Sequence, residues 1–540
     1  MRGHDDDALA ARTTDMTRPV LLALDSGTSV VKAVAFAADG AILATRSRPN
    51  TYRTLPGGGA EQDMRRSWDD AAAVLADLAA ALAAHHADAQ IVALGITGQG
   101  DGTWLIDTDG EPVGDGWLWL DARAAAIVEE LKASGAAAEA YRFTGTGLAA
   151  CQQAPQLAWM QRQRPEMLAR AATAMHPKDY LYFRATGARR TSPCEGCFTF
   201  GDFRTRSYRD EVLRALGLAA QRHLLPPMQD GTLAFDALTA TAARQTGLRA
   251  GLPVVLGYVD VLCTALGAGL YGAGGDVGVS IIGSTGMHMR LVPEVAAVAP
   301  SPAMTGYCMV FPVPGHTMQA QTNMAATLNI DWLADIVADA ASLAGGGGVT
   351  RAAVLEALGE TALRARAGAA LFHPFISSAG ERGPFTDATA RASFIGLEQA
   401  VRLPELARAV FEGLAFAARD CYAATGGAPA DIRVSGGAAR SPAIRHILSA
   451  CLDRPVRTVA QPEAGAAGVA MMAAICTGLY DDMAACARDW VAPRLEAPLL
   501  PDPALAALYD ALYPIYRDAY AALPSVWHRL RDAREMHDVR

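Results

Sequence analysis

Short apolar runs separated by turn-forming residues open the chain. They lie at residues 20–24, 30–36 and 41–45, with glycine-containing turns between them. Such runs predict three strands joined by tight turns. Apolar residues then recur at helical spacing over about 62–86, and a further apolar run at 91–96 predicts a fourth strand. This order predicts a mixed α/β layer with functional residues at the strand ends.

The same pattern recurs in the second half of the chain. Residues 277–282 and 287–292 predict two strands around a turn of small residues, and a strand at 432–434 precedes a predicted helix at 442–452. Two similar halves, each with a Gly/Thr hairpin, predict a duplicated fold facing a shared cleft. The end of the chain, about 499–530, has tyrosines at helical spacing, which predicts a packing stripe.

Composition limits the class of protein. At 540 residues the chain exceeds one typical core, and 51% hydrophobic residues with 19% charged residues predict a globular two-domain protein. A net charge of −9 without a basic run argues against a nucleic-acid partner. No apolar stretch approaches the roughly 20 residues that span a bilayer, so we expect no membrane partner.

The cysteines and the N-terminus predict a cytoplasmic protein. Nine cysteines without a regular framework favour a reducing compartment, and the C-x-x-C at Cys194 and Cys197 is interpreted as two ordinary thiols in a loop. Residues 1–17 lack the basic and apolar regions of a secretory signal. We therefore expect the first residues to form a flexible leader.

A phosphate site is predicted at the first hairpin, around Asp25, Thr28, Ser29 and Lys32. A turn without bulky side chains lets backbone N–H groups and hydroxyls approach phosphate oxygens, and a lysine adds positive charge. An aspartate at the strand end is suited to hold hydrated Mg²⁺. The chain lacks the G-x-x-x-x-G-K-[ST] loop, so P-loop chemistry does not explain the site. A simple hairpin turn is the alternative for this segment alone.

Three further segments complete a candidate nucleotide and catalytic site. The turn 283–286 and the strand–glycine–helix junction 435–441 are suited to a nucleotide. Asp260 follows a predicted strand at 253–256, where a carboxylate could accept the proton of an attacking hydroxyl. Taken alone, a surface aspartate in a turn is the simpler interpretation of Asp260.

These segments, in this order, resemble the FGGY carbohydrate kinases over about residues 21–491. The similarity includes the W-L-D-A-R element at 119–123 and the E-A-G-A-A-G element at 463–468. It implies an α/β fold of two actin-like, ribonuclease-H-like domains with a central cleft, with ATP and Mg²⁺ as cofactors. The implied divisions are a leader, an N-terminal domain for acceptor and phosphate, a C-terminal domain for nucleotide and a helical extension, at residues 1–18, 19–265, 266–500 and 501–540.

The resemblance also implies a role for each matching residue. Asp260 corresponds to the general base and Asp25 to the Mg²⁺-associated acid. The implied nucleotide and phosphate contacts are Thr28, Ser29, Lys32, Thr285, Gly286, Gly436, Gly437 and Ser441. The implied acceptor contacts are Gln99, Gly100, Asp101 and Asp260.

The acceptor segment narrows the expected substrate. After Gln99, glycerol kinases place Arg-Glu and xylulokinases Met-His, whereas this chain has Gly100-Asp101. We expect Asp101 to accept hydrogen bonds from hydroxyls of a neutral polyol, in a space that Gly100 leaves open. The blocks 98–105 and 380–385, among others, resemble the erythritol-phosphorylating branch of the family. This implies ATP-dependent phosphorylation of a terminal hydroxyl of erythritol, giving erythritol 4-phosphate and ADP.

Two alternatives remain at this point. One is a kinase of another polyol or of a ketose, such as glycerol or xylulose, because a few pocket residues decide the substrate. The other is an actin-like ATPase without a small acceptor, against which Asp260 and the Gln99-Gly100-Asp101 segment argue. The sequence does not fix the oligomeric state; a homodimer is compatible with it.

Overall fold

The computed structural model describes residues 18–272, 275–345 and 349–536, so the expected leader at 1–17 lies outside the described residues. The strands are β1 (Arg18–Ser26), β2 (Val30–Ala37), β3 (Ile42–Pro49), β4 (Arg53–Leu55), β5 (Gly59–Gln62), β6 (Ala89–Gly98), β7 (Trp104–Ile106), β8 (Gly116–Trp117), β9 (Thr173–Met175), β10 (Gly201–Asp202), β11 (Ser207–Tyr208), β12 (Asp236–Ala237), β13 (Pro253–Val259), β14 (Val277–Ile282), β15 (Gly286–Val292), β16 (Tyr307–Val310), β17 (Thr317–Asn323), β18 (Leu371–His373), β19 (Ser393–Ile395), β20 (Asp431–Ser435) and β21 (Val456–Thr458).

The helices are α1 (Met64–His85), α2 (Ala125–Ala133), α3 (Ala136–Thr144), α4 (Gln153–Gln163), α5 (Pro165–Arg170), α6 (Pro177–Thr186), α7 (Pro193–Phe200), α8 (Asp210–Ala215), α9 (Ala240–Thr246), α10 (Asp260–Gly267), α11 (Thr327–Leu343), α12 (Arg351–Arg364), α13 (Leu403–Ala423), α14 (Pro442–Leu452), α15 (Ala464–Cys476), α16 (Met483–Trp490), α17 (Pro503–Ala521) and α18 (Pro524–Met536). No helix in the described ranges is long and apolar enough to cross a membrane.

Two six-stranded sheets share one topology in five of their strands. The first has the order β12-β13-β6-β1-β2-β3 and the second the order β16-β17-β15-β14-β20-β21. In each sheet an antiparallel hairpin, β1 with β2 or β14 with β15, is followed by a parallel neighbour, β6 or β20. The predicted duplication is therefore confirmed, and the carboxyl ends of β1, β6 and β13 lie along one edge of the first sheet.

The centre of the first sheet is apolar on both faces. Residues 20–24 of β1 are fully buried, as expected for a central strand covered on both sides. Helix α1 turns Trp68, Leu75 and Leu78 inward at helical spacing, and the Asp63 side chain caps its start. Burial of both faces holds the strand ends in a fixed position.

The second face of the first sheet is covered by a helix from late in the chain. Helix α15 packs against α10 and against β1, β6 and β13. Close approach requires small residues, because a Cβ on Gly468 would overlap the carbonyl of Cys263 and a Cβ on Gly257 would lie 2.7 Å from Cγ2 of Val469. This helix therefore ties residues 464–476 to the sheet of the first half.

The tyrosine stripe at the end of the chain packs as predicted, on helix α17. Tyr509 and Tyr516 of α17 are buried, while Tyr513 and Tyr520 donate hydrogen bonds to the two carboxylate oxygens of Asp420, at 2.8 and 2.6 Å. The helix ends at Ala521, and Pro524 begins α18, a position that proline favours because its missing N–H is unpaired there in any case. These helices belong to the packed core of the second half.

The two cysteines of the C-x-x-C lie on a helix rather than in the expected loop. Cys194 and Cys197 are buried free thiols on α7. Burial raises the pKa of the Cys197 thiol to about 12 and raises that of Cys194 further above its ordinary range. Both are therefore inert packing residues, which agrees with their interpretation as ordinary thiols.

Candidate active site

The hairpin β1–β2 carries an acid and a base opposite each other. Asp25 pairs in register with Lys32, and the turn closes where the Gly27 N–H donates to the Val30 carbonyl at 3.0 Å. Lys32 Nζ forms an ion pair of 2.9 Å with Glu463, just before α15. Burial raises the pKa of Asp25 to about 6; Lys32 opposes this rise and Glu463 adds to it. The predicted phosphate turn is thus joined to the start of α15.

A chain of side-chain hydrogen bonds connects this turn to the acceptor segment. Trp119 Nε1 donates to Thr28 Oγ1 at 2.8 Å, and that hydroxyl donates to Gln99 Oε1 at 3.2 Å. Gln99 Nε2 in turn donates to Gln62 at 2.9 Å, and Gln62 donates to Asn50. Gln99 therefore has both ends of its amide engaged by protein, and it fixes the spacing between the two segments.

Asp101 projects a carboxylate from a backbone of unusual conformation. Its φ is +54°, a left-handed value that aspartate tolerates better than most residues. The conformation is held by His176 Nδ1, 3.1 Å from the Asp101 carbonyl oxygen. Tyr307 Oη donates to Oδ2 at 3.0 Å and Cys151 Sγ lies 3.5 Å from the same oxygen. Burial raises the pKa of Asp101, against the effect of His176, and Oδ1 has no hydrogen-bond partner among the described residues.

Gly100 does not leave an open space, contrary to expectation. A Cβ on Gly100 would overlap Cγ2 of Val259 and would lie 3.3 Å from its Cβ and 3.5 Å from Oε1 of Glu195. The space beside Gly100 is therefore filled by the last residue of β13. The glycine lets β13 approach the acceptor segment, and so it helps to set the position of the next residue, Asp260.

Asp260 begins α10 at the carboxyl end of β13. Its Oδ1 accepts a hydrogen bond from the Val261 N–H at 2.7 Å, and a carboxylate at a helix start is stabilised by the helix dipole. Burial nevertheless raises the pKa of Asp260 to about 8, and the negative charges of Asp25, Glu195 and Asp101 add to the rise. Asp260 is thus close enough to Asp25 and Asp101 to interact with both electrostatically.

A buried ion cluster beneath the acceptor segment was missed by sequence reasoning. Lys178 Nζ contacts both Glu195 and Asp179, and all three side chains are fully buried. His176 Nδ1 lies 3.8 Å from Glu195 Oε1, an atom without a hydrogen-bond partner among the described residues. The cluster supports His176, which holds the Asp101 backbone. Its only signal in the sequence is that Glu195 lies between two cysteines, which is too weak to predict the contact.

The second half supplies the other predicted turn. Gly283 N–H donates to the Thr285 carbonyl at 2.9 Å, which closes the β14–β15 turn and leaves the Thr285 side chain exposed. A side chain at position 286 would be crowded, since a Cβ on Gly286 would lie 3.2 Å from His288 Nε2. The exposed hydroxyl and backbone of this turn are available to a ligand.

The glycine junction after β20 lies next to this turn. Gly436 has φ +87°, and a Cβ there would lie 2.7 Å from the Ile282 carbonyl, whereas a Cβ on Gly437 would meet nothing within 4 Å. Ser441 Oγ accepts the Ile444 N–H at 3.4 Å and so caps α14. The junction therefore brings Gly436 against the end of β14 and leaves open space at Gly437.

Comparison with known proteins identifies the group to which the chain belongs. Residues 20–267 match the family model for the N-terminal domain of the FGGY family of carbohydrate kinases, and residues 278–477 match the model for its C-terminal domain. The chain belongs to this family. It is 48% identical over 515 residues to an erythritol kinase of Brucella abortus (strain 2308), covering 95% of this chain and 98% of that protein. A xylulose kinase of Escherichia coli (strain K12) is 29% identical, covering 84% and 90%.

Solved structures of FGGY kinases have the same architecture. A xylulose kinase from Rhodospirillum rubrum superposes with a TM-score of 0.83 at 28% identity, covering 94% of this chain and all of that one. A gluconate kinase from Lactobacillus acidophilus gives a TM-score of 0.85 at 23% identity, covering 95% and 100%, and that likeness concerns the fold. The two actin-like domains expected from the sequence are confirmed, and the chain is a carbohydrate kinase.

Proposed function

We propose that this FGGY kinase transfers the γ-phosphoryl group of ATP to a terminal hydroxyl of erythritol, giving erythritol 4-phosphate and ADP. The observation that carries the proposal is the position of Asp260, whose carboxyl interacts with Asp25 on the phosphate side and with Asp101 on the acceptor side. The full-length similarity to the Brucella erythritol kinase supports the choice of acceptor.

Asp260 is proposed as the general base. It stands at a strand end and helix start, and its raised pKa of about 8 makes it a better proton acceptor, once ionised, than an ordinary aspartate. Proton removal from a terminal hydroxyl would make that oxygen a better nucleophile towards the γ-phosphorus. Asp25 is assigned to the donor side instead, because it lies beside Lys32 and the phosphate turn.

The residues present fit MgATP. Asp25 is a partly buried carboxylate at a strand end. The described ranges contain no cluster of three or more His, Cys, Asp or Glu side chains that could form a metal site made of protein ligands alone. A hydrated Mg²⁺ bound through one carboxylate and phosphate oxygens suits such a site. When bound, it would supply neutralisation of charge on the transferred group.

Phosphate and nucleotide contacts are proposed on both sides of the cleft. Ser29 and Thr285 have exposed side chains in the two hairpin turns, and Lys32 supplies a cation to the first turn. Gly437 leaves open space for a ligand, which a side chain at this position would narrow. The remaining proposed contacts, whose position follows from the same turns, are Thr28, Gly286, Gly436 and Ser441.

Asp101 is proposed as the principal acceptor contact. Its buried Oδ1 lacks a partner, so a substrate hydroxyl would satisfy an otherwise unpaired acceptor. Gln99 and Gly100 are proposed to act on the acceptor through geometry: Gln99 links the two segments, and Gly100 admits Val259 and thereby positions Asp260. We also propose domains near residues 19–265 and 266–500 with a helical extension at 501–540. A cytoplasmic location is supported by the nine free cysteines.

The test is a panel of acceptors with coupled detection of ADP. We expect kcat/KM for erythritol to exceed that for glycerol and D-xylulose by at least about tenfold, the ratio that one hydrogen bond of about 1.4 kcal/mol supplies. Asp101→Ala should reduce erythritol use far more than acceptor-independent ATP hydrolysis. A parent enzyme that prefers glycerol or xylulose would refute the erythritol assignment and leave the family membership intact.

A further inference from the structure

The acceptor side of the first half is faced by two residues of the second half. Tyr307, the first residue of β16, donates to Asp101 Oδ2 at 3.0 Å. Arg382, in the segment between β18 and β19, directs Nη1 to Cys151 Sγ at 3.7 Å. Its charge opposes the rise in the pKa of Asp101, so the guanidinium lies within electrostatic range of that carboxylate. Three residues from the two halves, Cys151, Tyr307 and Arg382, therefore lie around Asp101.

Tyr307 is held in place by its neighbours in the chain. The neighbours of Tyr307 bind the first half: the Gly306 carbonyl accepts the Gly147 N–H at 2.8 Å, and the Cys308 N–H donates to Thr146 Oγ1 at 3.0 Å. Tyr307 therefore cannot turn away from Asp101 without breaking these contacts.

The segment around Arg382 is anchored on both sides. The buried carboxylate of Glu381 accepts the N–H groups of Met324 and Arg382 at 2.8 and 2.9 Å, and Asn323 Nδ2 donates to the Gly383 carbonyl at 3.1 Å. The arginine therefore extends from a fixed backbone towards the first half.

The donors of Arg382 are largely unused by the protein. Within the described part of the chain, no carboxylate oxygen lies within 4.0 Å of its guanidinium, and a thiol is a weak acceptor. A partly buried guanidinium carries five N–H donors, so most of them are available to a ligand. Asp101 Oδ1, in contrast, is a buried acceptor that receives no hydrogen bond from the described residues. A ligand with adjacent hydroxyls could satisfy both, because each hydroxyl both donates and accepts.

We propose that Arg382, with Tyr307, completes the acceptor site from the second half and is a specificity residue for linear polyols, binding a hydroxyl remote from the one phosphorylated. This inference rests on the proposed function and names residues outside the acceptor segment predicted from the sequence. The charges of Arg382 and Asp101 balance, so the site suits a neutral polyol. Because the site spans both halves, acceptor binding requires their close approach.

The test compares acceptors of different length in matched variants. Arg382→Gln removes the charge and most donors, Arg382→Lys keeps the charge without the planar fork, and Tyr307→Phe removes one hydroxyl. Arg364→Gln is the control, because that arginine is 81% exposed and pairs with Glu360 within α12. For each protein, kcat and KM are measured for erythritol, glycerol and ATP, together with acceptor-independent ATP hydrolysis and the melting temperature.

We expect Arg382→Gln to lower kcat/KM for erythritol by about 10- to 100-fold, mainly through KM, and to lower that for glycerol by much less, because glycerol is one carbon shorter. Arg382→Lys should be intermediate, and the control Arg364→Gln should match the parent. Equal losses for both acceptors, or no loss, would overturn the inference, since a structural role lowers both alike. If Arg382→Gln does not fold, Tyr307→Phe decides in the same way. A parent enzyme that does not phosphorylate erythritol would instead refute the proposed function.

Discussion

The close contact between Gly100 and Val259 makes a single methyl group a sharp test of how Asp260 is positioned. Gly100 has no positive φ, so Gly100→Ala introduces no backbone strain. The new Cβ would nevertheless lie closer than 3.0 Å to Cγ2 of Val259, a separation that real Cβ atoms do not show. Val259 is 4% exposed, so its side chain is packed on nearly all sides, and we expect it to shift together with the strand end.

The size of the effect follows from that shift. Carbon atoms pack best at about 3.5–4.0 Å, so Val259 must move by about 1 Å. Overpacking of this kind costs about 1–3 kcal/mol of stability. Asp260 is the next residue in the chain, and a misplacement of about 1 Å at a reacting group lowers the rate by about 10²-fold. We therefore expect kcat of Gly100→Ala to fall by about 10²-fold, with KM for ATP nearly unchanged.

The assay is steady-state ADP release with erythritol, beside thermal unfolding. Gly114→Ala is the matched control in the same half, because its new Cβ would meet only the flexible end of Met167, at 3.3 Å. Gly100→Ala/Val259→Ala is the rescue: it removes the clashing methyl groups at a cost of about 1.6 kcal/mol of burial and should regain most of kcat. Near-normal kcat in Gly100→Ala, or no recovery in the double variant, would refute the positioning role of this contact.

Two further predictions concern the carboxylates of the cleft. Asp260→Asn should lower kcat by about 10²–10⁴-fold with ATP binding retained, and near-normal turnover would rule Asp260 out as the base. Because the base acts ionised and its pKa is about 8, kcat/KM of the parent should rise with pH through about 8 and be lost as pH falls, a limb absent from Asp260→Asn. Asp25→Ala should raise the Mg²⁺ concentration needed for half-maximal turnover; an unchanged Mg²⁺ titration would contradict its assignment as the metal-associated acid.

Local features of the fold were readable from the sequence. The first three strands, the turn after Asp25 and the helix starting near residue 64 follow from apolar spacing and turn residues, which act over a few positions. The packing of α15 on the first sheet was not readable. Its residues are nearly all Ala, Gly, Val and Met, so they show no face that would indicate a partner, and its contacts with β1 and β6 join segments more than 350 residues apart in sequence.

Gly100 shows why the candidate site was only partly predictable. Its position next to Asp101 was clear, but the meaning of a missing side chain depends on what lies beside it, and Val259 is 159 residues away in sequence. Arg382 and Tyr307 are further cases, because they reach Asp101 from the other half. Sequence spacing identifies residues that act within one hairpin or strand end; it carries no direct signal for a contact made across a cleft.

The carboxylates of the cleft also have to be considered as one titrating group. Asp25, Asp101 and Glu195 each raise the pKa of Asp260, and the nearby Lys32 and Lys178 are already paired with Glu463 and with Glu195 and Asp179. Among the described residues, negative charge at this site is therefore only partly neutralised. Interacting acids lose their protons in steps that belong to the group and not to one residue. It follows that any cation brought close to Asp25 would lower the pKa of Asp260, so that the proposed base would become ionised at a lower pH when the donor side is occupied than when it is empty.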